Sequence, residues 1–117
     1  IDTMCENMLK LPFAKRNFAL FGVAKDKNWQ EIIRKCNKNF DYWYIAPLNS
    51  ERTEQPQLIA DYLVSLDVST KNIYQLPNIK SAFTQCYQQL SSEDRLVCFG
   101  SFLVVEEASH AIQEVRA

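Results

Sequence analysis

The side chains best suited to chemistry in this sequence gather just after apolar runs. Gly22 closes one run and is followed by Lys25, Asp26 and Lys27. Arg52 lies in the loop after a second run, and Gly100 and Ser101 close a third at the start of a helical pattern. An acid, ammonium groups, a guanidinium, a hydroxyl and a helix N-terminus together suit an anionic group, a carboxylate or phosphate, held by charge-assisted hydrogen bonds. Arg52 is the residue type for a bidentate grip on a carboxylate. The plain alternative is a solvated loop whose charges follow the preference of a helix start, with Arg52 a surface arginine.

Other chemistries lack their parts. The two glycines stand alone, so neither G-x-G-x-x-G nor G-x-x-x-x-G-K-[ST] is present, and neither dinucleotide nor P-loop binding is supported. The acidic residues of a phosphorylated receiver domain are missing from the strand ends. His110, the single histidine, falls mid-helix and cannot serve a Ser-His-acid or Cys-His set. Glu106 and Glu107 are neighbours on the last helix and point in different directions, so they make no acid/base pair. Cys5, Cys36, Cys86 and Cys98 are far apart, without a C-x-x-C pair; they read as small buried hydrophobes of a reducing compartment, with no zinc site.

The elements that must position these residues follow from hydrophobic periodicity. Residues 16–23, 40–46, 72–76 and 96–99 read as strands, three of them ended by Gly22, Pro47 or Pro77 and the last by Gly100. Trp29, Ile32, Ile33 and Cys36 stripe one helix, with Asn28 and Glu31 placed for a capping box. Leu58, Ile59, Tyr62, Leu63 and Leu66 stripe a second, and Ile79, Phe83, Cys86, Tyr87 and Leu90 a third. A fourth runs from about 101 to 116. Residues 91–94 read as a turn, and residues 3–9 as the last turns of a helix before Pro12. Strands alternating with helices predict an α/β fold, a Rossmann-like three-layer domain with a mostly parallel sheet, filling residues 1–117 as one domain. If the first and last strands are neighbours, residues 22–27 and Gly100-Ser101 flank one crevice.

Composition sets the remaining bounds. The chain has 117 residues, 47% of them hydrophobic, and a net charge of −1 with both signs scattered. No basic stripe points to nucleic acid, and no apolar run is long enough to span a bilayer. The start at Ile1 rather than Met reads as a cut through a larger protein, which the cysteine usage places in the cytoplasm.

Taken in order, Phe21-Gly22-Val23-Ala24-Lys25-Asp26-Lys27-Asn28, then Asp41-Tyr42-Trp43-Tyr44-Ile45-Ala46-Pro47-Leu48 with Arg52 shortly after, then Leu96-Val97-Cys98-Phe99-Gly100-Ser101-Phe102, resemble the C-terminal domain of bacterial folylpolyglutamate synthase/dihydrofolate synthase in the Mur ligase superfamily. The family loop usually reads D-K-D where this chain has Asn28 third, which removes a carboxylate. After G-S-F the family often has His-Thr-Val where this chain has Leu103-Val104-Val105, which removes a histidine from the helix start.

The resemblance implies an ATP-dependent ligase joining L-glutamate to dihydropteroate or a folate through an acyl phosphate. ATP and Mg²⁺ would be bound by an N-terminal ATPase domain of the same chain and not by this one, which would be inactive alone. This domain would close over that partner and help to place glutamate. Asp26, Lys27, Arg52 and Ser101 are the expected substrate contacts. Arg52 or Lys27 would face a substrate carboxylate, Asp26 would face a substrate ammonium or Lys27, and the Ser101 N–H and Oγ would donate. Gly22, Gly100 and Phe102 would shape the site, Phe102 by packing under the turn. A stand-alone Rossmann-like nucleotide-binding or docking module without catalysis is the alternative.

Overall fold

The computed structural model describes residues 16–91 and 93–116, apart from the side chains of Phe102 and residues 114–116. The helix expected over 3–9, Cys5, Ser92 and the packing expected of Phe102 lie outside the described residues. Four strands and four α-helices alternate. They are β1 (Arg16–Phe21), α1 (Trp29–Cys36), β2 (Tyr42–Ile45), α2 (Pro56–Ser65), β3 (Ile73–Gln75), α3 (Ile79–Gln89), β4 (Asp94–Phe99) and α4 (Phe102–Arg116). Short 3₁₀ turns precede β2 and β3.

The sheet order is β3-β2-β1-β4, and every pairing is parallel. β1 lies beside β4 over its whole length, from Arg16 opposite Asp94 to Phe21 opposite Phe99. Chain direction across the sheet therefore reverses between β1 and β4, where ligands of open α/β sheets collect.

Because side chains alternate across a strand, β1 feeds two cores at once. Ala19 and Phe21 join Trp29, Ile33, Trp43, Ile59, Leu63 and Phe99 under α1 and α2. Phe18 and Leu20 join Tyr44, Ile79, Phe83, Cys86, Val104 and Ala108 under α3 and α4. A strand buried on both faces must be apolar throughout, which is why these strands lack the polar alternation of half-exposed sheets. The result is the expected three-layer arrangement.

Four local expectations are corrected. Asn28 sits at the N-cap position of α1, but its side chain makes no capping bond. Its ψ of 65° lies outside the extended region in which a cap side chain folds back. Glu31 instead pairs with Arg34 and Lys35, three and four residues on, the spacing at which helix side chains meet. Leu58 and Tyr87 belong to the helical stripes in sequence but are 49% and 42% exposed, since each lies at the edge of a buried face. Asp94, read as part of a turn, opens β4. Its N–H closes the turn onto the Ser91 carbonyl at 3.1 Å, while its carboxylate takes two hydrogen bonds from Arg16 at 2.6 and 3.1 Å. That pair locks the bottom of β1 to β4 and holds the Asp94 carboxyl at about 2, below the usual carboxylate range.

Candidate functional site

Gly22 and Gly100 end adjacent strands, and their backbones meet. A Cβ on Gly100 would stand 2.4 Å from the Gly22 carbonyl oxygen, and one on Gly22 would stand 2.8 Å from the Ala46 carbonyl oxygen. Gly100 also has φ of 110°, a conformation that favours glycine. The three strand ends are thus brought within backbone contact at the carboxyl edge of the sheet. Beneath them Phe99 packs edge-on to Phe21, with ring centroids 5.1 Å apart, and stacks on Phe40 at 5.4 Å, forming a rigid apolar floor.

Ser101 opens α4. Its carbonyl accepts from the Val104 N–H at 3.1 Å, and its Oγ accepts from the Leu103 N–H at 3.2 Å. Toward the helix the hydroxyl oxygen is an acceptor, as an N-cap serine must be.

The loop after β1 and the loop after β2 are zipped together by backbone. Lys25 N–H donates to the Arg52 carbonyl at 2.8 Å, Glu54 N–H donates to the Val23 carbonyl at 2.8 Å, and Ala24 and Thr53 form an antiparallel bridge. Thr53 Oγ1 also accepts from Leu48 N–H at 2.8 Å. The Arg52 guanidinium reaches back to the Asp26 carboxylate, yet the two side chains stay 69% and 54% exposed. Asp26 is therefore set by Arg52 and not by Lys27. Lys27 holds the loop through its backbone, donating to the Ala24 carbonyl at 3.1 Å and accepting from Trp29 N–H at 2.8 Å. Its side chain is exposed.

The structure thus joins the sequence candidates in two groups, Gly22 with Gly100 and Ser101, and Asp26 and Lys27 with Arg52. Two contributors were not singled out from sequence, Thr53 and Glu54. Glu54 accepts from the Trp29 indole N–H at 3.0 Å. An isolated threonine and glutamate before a proline carry no pattern that marks them. Burial pushes the thiol of Cys98, two residues before Gly100, up to about 12, which disfavours the reactive thiolate. His110 is exposed on α4.

The family model for the Mur ligase glutamate ligase domain matches residues 1–102. The chain belongs to this family. Among curated relatives, the dihydrofolate synthase/folylpolyglutamate synthase of Buchnera aphidicola subsp. Baizongia pistaciae is 29% identical over 103 residues, 86% of this chain and 23% of that protein. The protein of the same name from Buchnera aphidicola subsp. Schizaphis graminum is 27% identical over 90 residues, 77% of this chain and 20% of that protein. The chain thus spans about a fifth to a quarter of the length of these relatives. The fold of this glutamate ligase domain is shared with E. coli FolC in complex with DHPP and ADP, at a TM-score of 0.85 and 22% identity over 99% of this chain and 26% of that one. It is also shared with a folylpolyglutamate synthase/dihydrofolate synthase with Mn, AMPPNP and L-glutamate bound, at a TM-score of 0.76 and 22% identity, covering 99% and 26%. Among the described residues, no helix is long and apolar enough to cross a membrane.

Proposed function

We propose that this glutamate ligase domain is the C-terminal part of a cytoplasmic, ATP-dependent ligase that adds L-glutamate to dihydropteroate, to a folate, or to both. In that reaction the amine nitrogen of glutamate attacks the carbonyl carbon of an acyl phosphate. The nitrogen lone pair forms the new C–N bond, the C–O bond to phosphate breaks, and inorganic phosphate leaves with those electrons as the amine gives up a proton. The domain's part is to hold glutamate in the attacking geometry and exclude water as it closes on the N-terminal ATPase domain.

No step of nucleotide or metal chemistry is assigned to these residues. Among the described residues no three His, Cys, Asp or Glu side chains gather in a way that could hold a metal. In this reading ATP and Mg²⁺ are bound by the N-terminal ATPase domain.

The observation that carries the reading is Arg52, whose backbone is fixed to Lys25 while its guanidinium stays exposed on an acid partner. An exposed ion pair of this kind contributes about 1 kcal/mol or less, so a substrate carboxylate can replace Asp26 at little cost. Asp26 is then free to face the substrate ammonium, with Lys27 beside it and the Ser101 O–H donating from the opposite wall. In the full-length ligase Arg52→Ala raises the glutamate KM. An unchanged KM would sink the assignment.

A further inference from the structure

We infer that Glu54 is a positioning residue for Arg52, a role that rests on the substrate-binding reading above. The Arg52 side chain is held little by its own contacts: it is 69% exposed, and its partner Asp26 is itself 54% exposed. Whatever aims the guanidinium must therefore act through the backbone of residues 52–54. The two main-chain bonds that make up the Ala24–Thr53 bridge tie that segment to residues 23–25, and one side chain ties it to α1.

That side chain is Glu54. One carboxylate oxygen accepts from the Trp29 indole N–H at 3.0 Å, and the other accepts from the Gln55 N–H at 2.9 Å at the entry to α2. Trp29 is a fixed anchor, 4% exposed, with the Tyr62 ring edge-on at 5.6 Å. Glu54 thus grips a buried indole with one oxygen and the start of a helix with the other. Arg52, two residues earlier, emerges from a stem that cannot swing independently of α1. Asp26, three residues before Trp29, is carried on the same frame, so the acid and the guanidinium keep one spacing.

Without the Glu54 carboxylate, the loop keeps its backbone bonds to residues 23–25 and the Thr53–Leu48 bond but loses its side-chain tie to α1, and Arg52 spends more time away from its bound position. On the substrate reading above, the loss falls on glutamate capture.

The test is a double-mutant cycle in the full-length ligase. Glu54→Ala is expected to raise the glutamate KM about fivefold, with kcat and the ATP KM within about twofold, a size typical of coupled neighbours. Glu54→Gln keeps one oxygen for the indole N–H but turns its amide N–H₂ toward the Gln55 N–H, so its rise should fall between the parent and Glu54→Ala, while Trp29→Phe, which removes only the indole donor, should also raise the glutamate KM. In an Arg52→Ala background Glu54→Ala should add no further rise. An independent, multiplicative rise there would make Glu54 a general support of the fold and overturn the inference. If Arg52→Ala raises KM and Glu54→Ala does not, the inference fails while the substrate reading stands. If Arg52→Ala leaves KM unchanged, the substrate reading fails and takes this inference with it.

Discussion

The Gly100 backbone passes so close to Gly22 that a Cβ on Gly100 would sit 2.4 Å from the Gly22 carbonyl oxygen. Neighbouring parallel strands that end together leave no room for a side chain at the turn, and the φ of 110° adds a second obstacle. Gly100→Ala is therefore expected to destabilise the domain by about 2–4 kcal/mol, combining backbone strain with overpacking. Chemical denaturation measures it. A change below about 0.5 kcal/mol would mean that the two strand ends can part freely.

Ser101 separates capping from ligand contact. Ser101→Ala removes the acceptor for the Leu103 N–H and should lower stability by about 1 kcal/mol. Ser101→Asp keeps a cap and even improves the charge match to the helix start, so stability should hold. It also places a negative charge on the wall proposed to meet a substrate carboxylate. The glutamate KM of the full-length ligase should rise more in Ser101→Asp than in Ser101→Ala, and the reverse order would argue against an anion on that wall.

The Asp94 carboxyl, ordinarily near 3.8, is lowered to about 2 chiefly by hydrogen bonds from Arg16, with burial opposing and Ser91 assisting. A depressed acid stabilises the fold above its unfolded value, and that contribution disappears as pH falls from about 4 through about 2. Solvent around the half-buried Arg16 end screens the pair and limits the size of that loss. Unfolding free energy followed from pH 5 to pH 2 should fall more steeply in the parent than in Asp94→Asn. Parallel curves would mean that another carboxylate carries the acid sensitivity.

Cys86 and Cys98 both have thiols pushed up to about 12, first by burial and, for Cys86, also by Cys98 and Asp94. At pH 8 only about one such thiol in ten thousand is a thiolate, and the thiolate is what reacts. Alkylation by iodoacetamide, mapped by peptide mass, should therefore be slow at both positions in the native domain and fast in denaturant. Rapid native labelling of Cys98 would show that the edge beside Gly100 opens in solution.

Much of this molecule was legible in its sequence. The uniformly apolar runs in β1, β2 and β4 could be satisfied only by a sheet covered on both faces, and alternation with helical stripes made that sheet parallel. Gly22 and Gly100 marked the strand ends, and the pattern of residues 21–28, 41–52 and 96–102 pointed to the family. These are local signals, written in side-chain period and in backbone permissiveness, so they survive without coordinates.

What only the tertiary structure decided is which distant groups meet. Sequence offered Asp26 a substrate ammonium or Lys27, and its pairing with Arg52 came from the bridge between Ala24 and Thr53 across the loops. Arg16 and Asp94 are 78 residues apart, brought together by the register of β1 on β4. Glu54 gains its meaning only because β1 and β2 are neighbours, which sets the indole of Trp29 against the start of α2. The Asn28 cap failed because backbone angles set by the loop overruled a residue preference of about 1 kcal/mol. Hydrophobic period is a property of neighbours in the chain and fixes the elements; hydrogen-bond partners depend on strand order and register, which the chain settles only once it is packed.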